Sequence, residues 1–192
     1  IRSFLTDTAL PRIAREGEFI RYAPSQYLRY FVAFDTTFDV YLTRFSGKSR
    51  STLKRKIRKF KELSGGTLDW RQYETPAEMA DFYPLALELS EVTYQAKMFG
   101  QELASQAGTL ENIISLAEKK EVCGYILFLH GKPAAYVFCP CRSGTIEYAS
   151  PGYDPNFRSH SPGDVLLYLL IERLFSERRF QCLDFGEGGS WY

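Results

Sequence analysis

The run YDPNFRSHSPGDVLLYLL, residues 153–170, sets a basic side chain, an imidazole, hydroxyls and a glycine directly before an apolar stretch. Ser161 is a good helix N-cap, Pro162 suits the first helical position, and Asp164 can return a bond in the manner of a capping box. Val165, Leu166, Leu169, Leu170 and Leu174 then mark the apolar face of the helix that follows. A capped helix start accounts for everything here except Gly163, which weakens a helix slightly and supplies no cap. What Gly163 offers is bare backbone, so that a bulky anion can approach the free N–H groups of the first turn. Arg158 and His160, just upstream, are candidate side-chain donors to it. Asp164 opposes such binding unless its carboxylate points away. On residues alone the junction reads equally as a cap and as the seat of a phosphate-bearing group.

A second cluster is electrostatic. SGKSRSTLKRKIRKFKEL, residues 46–63, packs eight Lys or Arg into the fourteen residues from Lys48 to Lys61. Leu53, Ile57, Phe60 and Leu63 recur at helical spacing within it, so one stripe docks and the remaining faces are basic. That helix is either a solvated face or a carrier of positive charge toward an anionic substrate, a phosphate or RNA. The chain as a whole has 192 residues and a net charge of +1, which argues against a dedicated nucleic-acid-binding domain while leaving room for a local patch. Cys123, Cys139, Cys141 and Cys182 show no repeated metal-ligand spacing and read as structural thiols, with no metal expected. They imply no disulfide framework, so a cytoplasmic location is the default. No run approaches the ~18 apolar residues of a membrane span.

The elements that must position these groups follow from periodicity. Residues 1–45 are strand-like in part (EFIRYAPSQYLRYFVAFD) and read as first strands of the sheet or the end of an upstream domain; residues 46–192 form the main domain. The chain does not begin with Met and stops at GEGGSWY, which reads as a fragment of a longer protein. After the basic helix, the GG at 65–66 is a stop signal and TLDWRQY reads as a strand. Thr75, Pro76 and Glu78 open a helix with a capping box, and Pro84 is expected to kink or break it. TYQAKMFGQEL (93–103) is read as a loop over the site, and TLENIISLAEKK (109–120) as an amphipathic helix. Strands are expected near 122–129, 133–141 and 145–150, joined by the short turns HGK and RSG into an antiparallel meander. A helix over about 162–178 and the strand FQCLDFG follow, the latter free to pair in parallel after a crossover. The fold class is therefore α/β, a mixed, mostly antiparallel sheet flanked by helices on both faces.

This order, with a basic turn and a glycine at a helix start between meander and final strand, resembles the core of the GNAT acyltransferase superfamily. The family's Arg/Gln-x-x-Gly-x-Gly/Ala loop is present as a variant: Arg158 to Gly163 is two residues longer, and Val165 replaces the last small residue. SGKSRSTLKRKIRKFKEL, GYDPNFRSHSPGDVLLYLLIE and LDFGEGGSWY together resemble the GNAT branch associated with cellulose and exopolysaccharide biosynthesis, related to Fem-type aminoacyl transferases. The similarity spans roughly residues 40–192.

The resemblance implies direct attack of an amine or hydroxyl on an acyl thioester, without a covalent enzyme intermediate. By position it assigns acyl-CoA binding, with acetyl-CoA as one donor, to Arg158, Ser159, His160, Ser161 and Gly163. Strand 145–150 is expected to lie along the pantetheine. Glu147 and Asp184 are the carboxylates best placed as catalytic base, and Tyr148 and Tyr192 are candidate proton donors. Asp184 is equally suited to capping the GEGG turn that follows it. The expected acceptor is a small molecule, a sugar or a polysaccharide precursor. Two alternatives stand beside this: a Fem-like transferase using aminoacyl-tRNA, with helix 48–61 on the RNA, and a catalytically silent binding domain of the same fold.

Overall fold

The computed structural model describes residues 11–23, 28–93, 103 and 107–187. A hairpin of β1 (Ile13–Glu16) and β2 (Phe19–Tyr22) stands as its own two-stranded sheet. The main sheet has seven strands: β3 (Arg29–Ala33), β4 (Asp69–Tyr73), β5 (Val122–Leu129), β6 (Lys132–Arg142), β7 (Thr145–Glu147), β8 (Ser150–Tyr153) and β9 (Cys182–Glu187). Their order is β3-β9-β7-β6-β5-β4, with β8 sharing with β7 one edge of β6. All pairings are antiparallel except β7 with β9, the parallel crossover that a whole intervening helix permits.

Strand alternation gives the sheet two buried faces. Cys123, Tyr125, Leu127 and Leu129 of β5 join one core, whose helices are α1 (Phe38–Thr43), α2 (Gly47–Leu63) and α5 (Pro162–Glu177). Val122, Ile126 and Phe128 join the other, beneath α3 (Pro76–Val92) and α4 (Leu110–Glu118). Gly124 lies under the Phe82 ring, which a Cβ there would meet at 2.6 Å. The mixed sheet with helices on both faces is the architecture expected from the sequence.

Local chemistry explains the element ends. In α2, Phe60 is fully buried and Leu53, Ile57 and Leu63 are half-buried, so the apolar stripe docks against α5 while the cations stay outside. The helix stops where Gly66 returns its N–H to Lys61 O (2.9 Å) at φ +97°, a conformation that suits glycine. Thr75 and Glu78 form the reciprocal capping box at the start of α3. Of the kink or break expected at Pro84, the break does not occur: α3 runs through it, held to the sheet by Met79, Phe82, Ala86 and Leu89. The segment expected as a loop over the site (93–103) falls almost wholly outside the described residues. Cys123, Cys139 and Cys141 are buried and Cys182 is half-buried. Among the described residues, no group of His, Cys, Asp and Glu has the arrangement of a metal site, and no helix is long and apolar enough to cross a membrane.

Candidate functional site

The strand expected over 145–150 is instead split. Cys141 of β6 pairs with Ile146, and Phe138 pairs with Ser150. Two residues of β6, Cys139 and Pro140, therefore face three, Glu147, Tyr148 and Ala149, which is a β-bulge. Pro140 explains part of it. Cys141 sends its N–H toward the β5 side, to Glu121 O (2.7 Å), so position 140 would send its own toward the bulge, and proline has none.

Beyond the bulge the sheet opens. β9 follows β7 in parallel as far as Glu147 opposite Asp184, with Tyr148 N–H donating to Asp184 O at 2.8 Å. β8 pairs only with β6, so β8 and β9 part company after Tyr148. Asp154 N–H bonds to Ala134 O (3.0 Å), which places the even-numbered amides of β8 toward β6. The carbonyls of Pro151 and Tyr153 and the Tyr153 amide consequently face the opening, and Pro151 removes the donor that another strand would pair with.

β8 leads into a 3-10 helix, Pro155–His160, whose start is capped by Asp154 Oδ1 accepting from Asn156 N–H (2.9 Å). Arg158 and Ser159 are exposed and His160 is half-buried, all on this turn. Ser161 is not the side-chain N-cap expected of it. It sits in the left-handed region (φ 52°, ψ 50°), closes the 3-10 turn by donating its N–H to Arg158 O (3.1 Å), and makes no side-chain cap bond to α5. Asp164 does not form a capping box either; its carboxylate turns outward to Lys56 Nζ of α2, 2.5 Å away. The α5 start therefore has no side-chain acceptor among the described residues. Gly163 is open as well, since a Cβ there would meet only Tyr153 Cδ1, at 3.8 Å.

In-register residues of a parallel pair point to the same face of the sheet. Ile146 and Leu183 go into the α5-side core, so Glu147 and Asp184 share the opposite face. Their settings differ. Glu147 is exposed, whereas Asp184 is only 4% exposed. The Asp184 carboxylate accepts from Arg29 Nε (2.7 Å), from Arg29 Nη2 and from Gly186 N–H (2.8 Å). That hydrogen bond raises the Arg29 pKa above its ordinary value, against desolvation, with Asp184 and Glu147 adding attraction through space. Tyr148 is buried, its ring tilted on Phe185 with centroids 5.4 Å apart. Tyr192 lies outside the described residues.

The structure thus brings Glu147, Tyr148 and Asp184 together at the fork of β8 and β9, and Arg158 to Gly163 at the α5 start that β8 feeds. Sequence reasoning missed Arg29 and Lys56. Arg29 meets a partner 155 residues away, and nothing local marks it. Lys56 carried a weak signal, since Lys48, Thr52 and Lys56 step by four along α2 and so share a face.

Comparison with known proteins agrees with this layout. A family model described as an acetyltransferase (GNAT) domain matches residues 47–192. Among solved structures, a conserved protein of unknown function from Bacteroides thetaiotaomicron superposes with a TM-score of 0.59 at 17% identity, covering 84% of this chain and 50% of the other. FemX gives 0.59 at 11% identity (85% and 54%), and L-PGS from Bacillus licheniformis gives 0.52 at 15% (83% and 46%). The chain spans about half the length of each of these. No curated protein matches it. With three quarters of its length matched and the split sheet leading into an open helix start, the chain belongs to the GNAT acetyltransferase family.

Proposed function

We propose that the chain moves an acyl group from acyl-CoA to an amine or hydroxyl of a small-molecule, sugar or polysaccharide-precursor acceptor, in the cytoplasm. One observation carries this: the uncapped start of α5, with its open Gly163, stands directly after the strand whose free edge faces the fork. An extended amide chain can add backbone bonds to Pro151 and Tyr153 there, as a further strand would. A pyrophosphate then meets the first-turn amides of α5, with Arg158, Ser159, His160 and Ser161 alongside. The acceptor attacks the thioester carbonyl, the C–S bond breaks, and the thiolate takes up a proton. Glu147, exposed beside the fork, receives the acceptor's proton, and Tyr148 or Tyr192 supplies the one the thiolate needs. Asp184 acts as a positioning residue, because its carboxylate is already committed to Arg29 and Gly186.

The test is calorimetric titration with acetyl-CoA. Wild type is expected to bind, and Gly163→Leu is expected to lose binding while keeping its thermal midpoint. Unchanged binding in Gly163→Leu refutes the loop assignment.

A second reading has its own observation. Arg50, Lys54 and Arg55 share the outer face of α2 and have no ion-pair partner among the described residues. An aminoacyl-tRNA donor fits such a face, as does the structural likeness to FemX. Binding to tRNA that weakens steeply with salt, without any response to acetyl-CoA, would favour it.

A further inference from the structure

The groove between α2 and the first turn of α5 holds about 390 Å³ and is lined by Lys48, Ser49, Thr52, Leu53, Lys56 and Asp164. That volume falls in the range of about 300–1,000 Å³ common for small-molecule clefts, and is larger than a lone phosphate needs. Two features give it a chemical sense. Lys48, Thr52 and Lys56 fall on one face of α2 at intervals of four residues, about 6 Å of rise each, so both lysines and the hydroxyl address the same groove. Asp164 is the one acid on the wall, and Lys56 already holds it at 2.5 Å. Lys48 has no ion-pair partner among the described residues. The wall is therefore net positive, with one ammonium free and a second able to be shared.

The groove adjoins the α5 start, since Asp164, which lines it, is the residue after Gly163. A donor whose pyrophosphate rests at Gly163 must carry its nucleotide end away from the fork. Leu53 offers an apolar contact to a base, and the lysines offer partners to a further anion. Thioesters of phosphopantetheine on carrier proteins have no such end, and the dephospho form of CoA has the nucleoside without the extra charge.

We propose that Lys48 and Lys56 bind the ribose 3′-phosphate of the donor, so that the chain selects CoA thioesters over those lacking this phosphate. The assignment rests on the acyl-CoA reading above and adds α2, an element outside the split sheet, to the donor site. Asp164 is then no obstacle: Lys56 holds its carboxylate, and the phosphate and Asp164 share that ammonium.

The experiment compares acetyl-CoA with 3′-dephospho-acetyl-CoA by calorimetry at about 0.15 M salt, near the physiological ionic strength. Wild type is expected to bind the dephospho form about tenfold more weakly, the scale of one exposed charge-assisted contact. Lys48→Ala/Lys56→Ala should bring the two donors within about twofold of each other. A control with the same loss of charge, Lys119→Ala/Lys132→Ala, alters exposed lysines elsewhere and should preserve the gap. Adenosine 3′,5′-bisphosphate should compete with acetyl-CoA, and adenosine 5′-monophosphate should compete far less. Equal affinity of wild type for both donors overturns the assignment while leaving the acyl-CoA reading standing. So does a gap that survives in the Lys48/Lys56 variant. Failure of wild type to bind either donor overturns both.

Discussion

The Arg29–Asp184 pair ties β3 to the fork, and its energetics can be worked out in advance. Asp184 is 4% exposed, so Arg29→Met strands a buried carboxylate with only the Gly186 N–H for a partner. Removing one partner from a fully buried pair costs about 3–5 kcal/mol. Here the Arg29 side chain is 34% exposed, water reaches one end of the pair, and the cost falls to about 2–3 kcal/mol. For a chain of this length that lowers Tm by about 5–10 °C. Asp184→Asn makes the opposite defect. It leaves a partly hydrated guanidinium, while the amide oxygen can still accept from Gly186, so about 1–2 kcal/mol is expected. Urea unfolding of both single variants and of the double variant completes the cycle. The double variant should cost less than the sum of the singles by at least about 1 kcal/mol. If Asp184→Asn proves the more damaging, or the cycle shows no coupling, Asp184 is not held as described and its role as a catalytic base reopens.

Two further predictions concern backbone and caps. Gly152→Ala drives a Cβ to 2.3 Å from Tyr136 Cε1 and 2.8 Å from Thr93 Cγ2 and should cost about 2 kcal/mol or more, whereas Gly163→Ala, in open space, should stay within about 0.5 kcal/mol of wild type by the same urea titration. The backbone N–H groups of Thr75 and Glu74 hold the Glu78 carboxyl below its ordinary value. The unfolded chain therefore binds more protons than the folded one between those two values, so the stability Glu78 contributes is present at neutral pH and is lost as pH falls through its folded pKa. Glu78→Gln should flatten that acid limb, and Thr75→Ala should cost about 1 kcal/mol across it.

What the sequence disclosed follows the range of the forces involved. The capping box, the glycine stop of α2, the apolar stripe at Leu53, Ile57 and Phe60, and the tight turns of the meander are settled by residues a few positions apart. The parallel placement of β9 followed from chain connectivity. The bulge was within reach, since Pro140 and Pro151 both lie on strands where a proline must face an unpaired side, yet periodicity alone merged β7 and β8. Ser161 misled for a related reason. Its composition as a cap is ideal, but the preceding Asp-Pro-Asn forms a 3-10 turn that must end in a left-handed residue, and Ser161 is that residue.

Asp164 shows most clearly where local reading stops. In sequence it is a carboxylate one residue from the glycine at an anion site, and the nearest cations, Arg158 and Arg173, are not matched to it. Its partner Lys56 is 108 residues away, on a helix whose own eight cations invited a separate explanation. Those cations are unevenly used: the chain outside Lys48–Lys61 has 16 basic and 23 acidic residues, so without that segment it would carry a net charge of −7. For the proposed anionic donor, α2 is therefore the segment that contributes most positive charge to the approach. The helix that docks by its apolar stripe on α5 therefore does two things that a core of strands and α5 alone does not. In the proposed acyl-CoA site, it pairs the Asp164 carboxylate beside Gly163 and makes the approach to residues 158–163 attractive to a phosphate. Raising ionic strength should accordingly slow donor association in wild type more than in a variant with α2 partly discharged on its outer face. Equal salt slopes in the two would mean that α2 acts by contact alone.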